Sequence, residues 1–194
     1  FKTFFSKPYY YESIFNSTKI ALTVTIFSLL LGIPFSYLYS FYNIKGKKLI
    51  FVLVLLSMMS APYIGAYAWI LLLGNSGILT GALAKIGIEG LSIYGFWGIV
   101  FVQTLKLFPL VVIYMNGAFK DIDSSLLEAA ESMGCTGINR FKEVIMKLTM
   151  PTITAAALLV FMRSFADFGT PILIGRGYST FPVLIFNQYL GENG

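Results

Sequence analysis

The sequence predicts an all-α protein: an integral membrane helical bundle of about four membrane-crossing helices, with one further helix on the cytoplasmic side. Composition, run length and the placement of charge lead to it. Of 194 residues, 57% are hydrophobic and only 12% charged, and the mean hydropathy is +0.77. A soluble domain carries roughly 25% charge, so too few polar side chains are present to cover a water-facing surface. Four apolar runs reach the roughly 20 residues that a helix needs to cross the hydrocarbon core. Nine of the 14 basic and 9 acidic residues instead gather between Lys120 and Lys147.

The first span is Lys19 to Tyr42, almost unbroken in apolar and small residues. Asn43 to Lys48 (NIKGKK) interrupts it, and Leu49 to Leu73 then runs without a charge as the second span. Gly74 to Ser92 is richer in Gly and Ser, with Lys85 and Glu89, and reads as a loop holding a short helix around Ile78 to Ile86. Tyr94 to Phe119 is the third span and contains Lys106; Pro151 to Ile174 is the fourth and contains Arg163 and Asp167. Pro34, Pro62 and Pro109 fall inside the first three spans. Proline removes a backbone donor and crowds the preceding turn, so kinks are expected there, either as ordinary membrane-helix packing or as room for a central path.

Basic loops stay on the cytoplasmic side. With the lysine turn inside, that side holds Lys45, Lys47, Lys48, Lys120, Arg140, Lys142 and Lys147, against Lys2, Lys7, Lys19, Lys85 and Arg176 outside. The N-terminal segment Phe1 to Ser17 is then outside, with Tyr9 to Tyr11 suited to the interface. The chain opens on Phe1, and no charged segment with a cleavage site precedes Lys19. The expectation is one transmembrane domain over residues 1–194, cut from a longer protein at both ends. The chain has no histidine and one cysteine, Cys135, which removes His-dependent catalysis, Cys clusters and an internal disulfide. No resident metal or cofactor is expected. The dispersed net charge of +5 fits juxtamembrane loops and a lipid bilayer, not nucleic acid.

The polar stretch 120–150 contains DIDSSLLEAAESMGCTGINRFKEVIMKLTM from Asp121 on. Ser125 and Glu128 have capping-box spacing, so a helix is expected to start there. Leu126, Leu127, Ala130 and Met133 give it an apolar stripe, and Gly134 supplies a left-handed residue to end it. A second, basic helical piece is expected around Ile138 to Lys147. By composition alone the first helix suits passive rest at the interface as well as docking.

Glu128, Ala129, Ala130 and Gly134 resemble the EAA loop of permease subunits of binding-protein-dependent ABC importers: Glu-Ala-Ala, three residues, Gly, nine residues, Ile, one residue, Leu-Pro. In the second half Val144, Met146 and Lys147 stand at the Ile, Leu and Pro positions, with Pro151 a turn later. The resemblance implies a type I importer transmembrane domain, similar in fold to the methionine importer's permease. It implies that Ser125, Glu128, Ala129, Ala130 and Gly134 form a coupling helix that docks on separate ATP-binding cassette subunits. No G-x-x-x-x-G-K-[ST] loop occurs in the chain, so ATP and its Mg²⁺ are expected on that partner, and the chain itself is not expected to be an enzyme. Further implied partners are a second permease half, fused or separate, and an extracytoplasmic solute-binding protein; the implied location is a prokaryotic inner or plasma membrane. Phe165 to Gly177 (FADFGTPILIGRG) is similar to ferric-iron permeases, which implies ferric iron as substrate, with phosphonate, sulfate, thiamine or polyamine as alternatives. A secondary transporter is the rival reading, and co-purification with an ATPase separates the two.

Ionisable groups in the hydrocarbon region are costly and usually face protein or a wet cavity. Lys106 is expected ~16 Å below the outer end of its span and Arg163 ~18 Å from the inner end of the next. Arg163 and Asp167 are four apart and can pair on one helix face. Alternatively Lys106, Arg163 and Asp167 line the path, with Gly169, Pro171 and Gly175 breaking the helix at its outer mouth. Two cations near mid-depth then favour an anionic or chelated substrate.

Overall fold

A computed structural model describes residues 8–42, 45–59, 62–75, 77–84 and 93–192. Every regular element among them is helical, and four runs are long and apolar enough to cross a membrane: Tyr9–Phe41, Tyr63–Gly81, Phe96–Lys120 and Gly137–Phe165. Lys2, Lys7, Lys85 and Glu89 lie outside the described residues, as do Asn43 and Ile44 of the lysine turn.

Helix α1 (Pro8–Phe41) begins well before the expected Lys19. Its 34 residues span ~50 Å at 1.5 Å per residue, more than the ~30 Å hydrocarbon core. Hydropathy marked where the helix crosses and missed its extension, because the added turns are polar and bonded to a distant segment. Ser13 Oγ donates to Ser179 Oγ (3.2 Å), Asn16 Nδ2 donates to the Ser179 carbonyl (3.1 Å), and the Phe181 amide donates to Ser17 Oγ (2.8 Å).

The expected second span is two helices, α2 (Lys47–Met58) and α3 (Pro62–Leu73). Pro62 is the first residue of α3, where its missing N–H costs nothing and its fixed φ suits helix entry; the residue before a proline is also pushed out of helical conformation. Of the three intraspan prolines, only Pro62 separates two helices; Pro34 and Pro109 stay inside continuous ones. The short helix expected near Ile78 is α4 (Ile78–Ala84).

Helix α5 (Phe96–Lys120) is the centre of the bundle, with buried residues on every turn from Gly98 to Phe119. α1 packs along it in parallel. Lys19 Nζ lies 5.1 Å from the Phe96 ring at one end, and Ser40 Oγ donates to Asn116 Oδ1 (3.0 Å) at the other. Between them Gly32 meets Val111 so closely that a Cβ at Gly32 would sit 2.6 Å from Val111 Cβ.

The polar stretch forms α6 (Ser124–Ser132). The basic piece after it is not separate from the fourth span: α7 runs continuously over Gly137–Phe165, with one π-helical turn at Phe141–Ile145 and Pro151 inside it. It packs against α1 and α5 through Ile145, Ile153 and Val160. Tyr37, Phe119 and Phe141 close that end of the bundle, the Tyr37–Phe141 centroids being 4.7 Å apart.

The fourth span also ends earlier than expected. α7 stops at Phe165, Ala166 caps it, and a short helix α8 (Gly169–Ile174) follows. A last helix, α9 (Phe181–Glu192), was not expected because its apolar run is only Phe181–Leu190, below spanning length. Large apolar side chains such as Leu30, Leu53, Leu56, Leu158 and Met162 remain exposed, the pattern of a lipid-facing surface.

Candidate functional site

Two constellations emerge, one at each level of the bundle. The first is α6, beyond the ends of α5 and α7. Its N-cap is Asp123, whose Oδ1 accepts the Ser125 amide at 3.0 Å; that bond holds the exposed carboxyl below its ordinary value of 3.8. The expected Ser125–Glu128 capping box is therefore corrected. The cap lies two residues earlier, where Asp123 outcompetes the Ser125 hydroxyl, being a full anion at a helix N-terminus. Glu128 instead stands mid-helix with its side chain exposed.

The helix ends as expected. Gly134 has φ 81°, the Cys135 amide donates to the Ala130 carbonyl (2.9 Å) and the Gly134 amide to the Glu131 carbonyl (2.9 Å). This is the double bond pattern of a Schellman turn. Arg140 then bridges back to Glu131 at 3.1 Å, fixing α6 to the start of α7. The expected apolar stripe divides: Leu127 packs on the core and Ala130 is buried, while Leu126, Ala129 and Met133 are exposed. These three recur at i, i+3 and i+7, so they share one outward face. The result is a capped helix seated through Leu127 and Ala130, with a small apolar outer surface flanked by the Glu128 carboxylate.

The second constellation joins α5 to the break after α7. Lys106 Nζ lies 3.5 Å from Asp167 Oδ1, Gln103 Nε2 donates to Asp167 Oδ2 at 2.9 Å, and Ser164 Oγ donates to Gln103 Oε1 at 2.5 Å. The Asp167 side chain is 8% exposed and that of Lys106 22%. The chain makes this possible by ending α7 at Phe165. Asp167 leaves the helical path, its amide donating to the Ser164 carbonyl at 3.2 Å, and its carboxylate reaches α5. For the same reason the expected Arg163–Asp167 pair does not form; Arg163 is exposed and has no ion pair among the described residues. The charge argument for an anionic substrate loses its basis, since Arg163 stands apart and Lys106 is neutralised by Asp167.

Gly169 and Pro171 are both buried within α8, so the helix break precedes them at 166–168. α8 places Thr170 beside Lys106: both line a small, half-open cavity of about 110 Å³ with Ser57, Ala66 and Trp69. The Thr170 hydroxyl is buried and has no partner among the described residues. Beyond α8, Gly175 ends the turn and Arg176, with φ 42°, lays its guanidinium 3.6 Å from the Tyr94 ring centroid. Sequence reading missed Gln103 and Thr170. Gln103 carries a signal, an amide one turn before Lys106 in an otherwise apolar helix; Thr170, an uncharged residue in a small-residue stretch, carries none.

Among proteins similar to this chain, the spermidine/putrescine transport system permease protein PotB of Haemophilus influenzae is 32% identical over 171 residues, covering 87% of this chain and 60% of PotB. The ferric transport system permease protein FbpB of Actinobacillus pleuropneumoniae is 27% identical over 183 residues, covering 93% of this chain and 26% of FbpB. The chain thus spans less than two thirds of either relative. A crystal structure of a bacterial alginate ABC transporter, in complex with its alginate pentasaccharide-bound periplasmic protein, superposes with a TM-score of 0.81 at 18% identity, over 98% of this chain and 71% of that one. That likeness establishes the fold. Residues 15–192 match the family described as binding-protein-dependent transport system inner membrane component, and the chain belongs to that family.

Proposed function

We propose that this chain is transmembrane-domain segment of the permease of an ATP-driven importer in a prokaryotic inner or plasma membrane, and that α6 is its coupling helix. The observation that carries the reading is the mounting of α6. It is a capped helix pinned by a Schellman turn and the Arg140–Glu131 bridge, with Leu126, Ala129 and Met133 turned outward and uncovered. In this reading a separate ATPase subunit binds ATP and Mg²⁺, closes on hydrolysis-linked cycling, and pushes α6; because α6 is tied to α7, the push reaches the bundle. A second permease half completes the path, and a solute-binding protein delivers substrate at the opposite end.

Lys106, Asp167, Gln103 and Thr170 line the path in this proposal, with α8 bearing Gly169 and Pro171 at its outer rim and Arg163 outside the cluster. The Lys106–Asp167 pair leaves that wall without net charge, so selection rests mainly on the binding protein. Ferric iron as substrate is supported by the FADFGTPILIGRG stretch and the likeness to FbpB; a polyamine is supported by the higher identity to PotB. Calorimetry of the cognate binding protein with ferric iron and with spermidine separates the two.

The coupling assignment is tested by Glu128→Lys and Gly134→Val in the full-length permease, assayed in membrane vesicles. Valine at a φ of 81° costs roughly 1–2 kcal/mol in backbone strain and misaligns the outer face. Both variants are expected to retain ATP hydrolysis while losing uptake. Normal uptake in both refutes the role of α6.

A further inference from the structure

The end of the bundle that carries α6 also holds a cleft whose lining residues are distinct from those proposed above for coupling and translocation. It lies between the ends of α1 and α5 and the start of α2, with a volume of about 420 Å³. Lys47, Lys48 and Lys120 line it, and among the described residues no carboxylate does. Among the described residues none of the three forms an ion pair; Lys47 Nζ rests 4.6 Å from the Tyr39 ring centroid, which orients the ammonium without neutralising it. At the same wall Ser40 donates to Asn116 Oδ1, which leaves the buried Asn116 with its Nδ2 donors unused among the described residues. Gly46 caps α2 with no side-chain hydrogen bond, and a helix N-terminus favours an anion.

Three lysines with no ion pair among the described residues and an asparagine amide thus line one cleft, with the start of α2 beside it. We propose that this cleft binds a phosphate-bearing anion, and that its source is the headgroup of an anionic phospholipid. Location selects the lipid over free phosphate. The cleft sits where α1 and α5 leave the apolar zone, and α2, which supplies two of the lysines, continues into the bilayer with Leu49, Val52 and Leu53 exposed, a surface for acyl chains directly below the headgroup. Basic pockets between helices at the cytoplasmic interface suit such headgroups. The bound lipid adds to the Tyr39–Phe51 stack that joins α2 to α1 and offsets the mutual repulsion of the three lysines.

The test uses the full-length permease, purified with the subunits that accompany it, and native mass spectrometry with added phosphatidylglycerol or phosphatidylcholine. Wild type is expected to retain phosphatidylglycerol about a hundred-fold better, and the triple variant Lys47→Gln, Lys48→Gln, Lys120→Gln to lose that preference. Lys45→Gln, in the same turn but outside the cleft, keeps it. Should the triple variant fail to assemble, each single Gln variant is expected to weaken retention by about five-fold. Equal retention of the two lipids by wild type, or undiminished preference in the triple or in all three single variants, overturns the site. Displacement of phosphatidylglycerol by millimolar inorganic phosphate assigns the cleft to the free anion and overturns the lipid source.

Discussion

Asp123 and Ser125 show how closely competing residues decide a local structure. Both are helix-capping types, and the choice between them fixes where α6 begins. Asp123→Ala is expected to speed amide exchange at Ser125 and Leu126, whereas Ser125→Ala leaves it near wild type; hydrogen exchange with mass spectrometry reads both. The Asp123 carboxyl is lowered below 3.8 by the Ser125 amide, so its contribution is complete above that pH and disappears as pH falls through the lower folded value. Asp167 poses a different question. Asp167→Asn keeps an acceptor for Gln103 but strips Lys106 of its counter-charge, and uptake is expected to fall about ten-fold or more with membrane yield little changed. Gln103→Leu removes the acceptor for Ser164 and the donor to Asp167 while keeping the charge pair, so a milder uptake defect is expected. An equal loss of yield and uptake in Asp167→Asn assigns the pair to folding. The charges of this cluster were legible in the sequence because ionised side chains are rare in apolar runs. Their pairing was not: Lys106 and Asp167 are 61 positions apart, and their meeting depends on where α7 ends.

Among the elements, hydropathy located the crossings and missed their ends. It reads transfer from water to lipid, so it is blind to the polar first turns of α1, which are held by Ser179 and Phe181, and to the continuity of α7 through its basic start. Pro62 was legible as a disturbance, yet only packing separates a proline that starts a helix from Pro34 and Pro109, which ride inside one. Close helix approach is similarly invisible until the partners are known. Gly32 is one of 18 glycines, and it matters because α1 crosses α5 there, with Val111 filling the space a Cβ would need. Gly32→Leu must push the two helices apart, and overpacking of this kind costs about 1–3 kcal/mol. The expected outcome is a lower melting temperature in detergent. Gly81→Leu, at a glycine where an added Cβ meets nothing, serves as the comparison and is expected to melt near wild type.

At the scale of the whole molecule, the structure sorts charge by ends without reference to any membrane. The end bearing α6 holds Lys45, Lys47, Lys48, Lys120, Arg140, Lys142 and Lys147, while the opposite end, where Ser13 and Asn16 meet Ser179, holds Lys19 and Arg176 among the described residues. Helix geometry gathers those seven residues at one end, and by the positive-inside rule that end is expected to be the cytoplasmic one. The single cysteine, Cys135, lies partly exposed in the turn after α6, so it reports that side directly. With cysteines outside this chain replaced by serine, a membrane-impermeant maleimide is expected to label Cys135 in inside-out vesicles and not in right-side-out ones. Arg176→Cys in a Cys135→Ser background tests the other end, since Arg176 is exposed there beside Tyr94, and it is expected to give the opposite pattern. The reverse labelling of both sites would put α6 outside, where no ATPase can reach it, and coupling through α6 would be excluded along with the orientation.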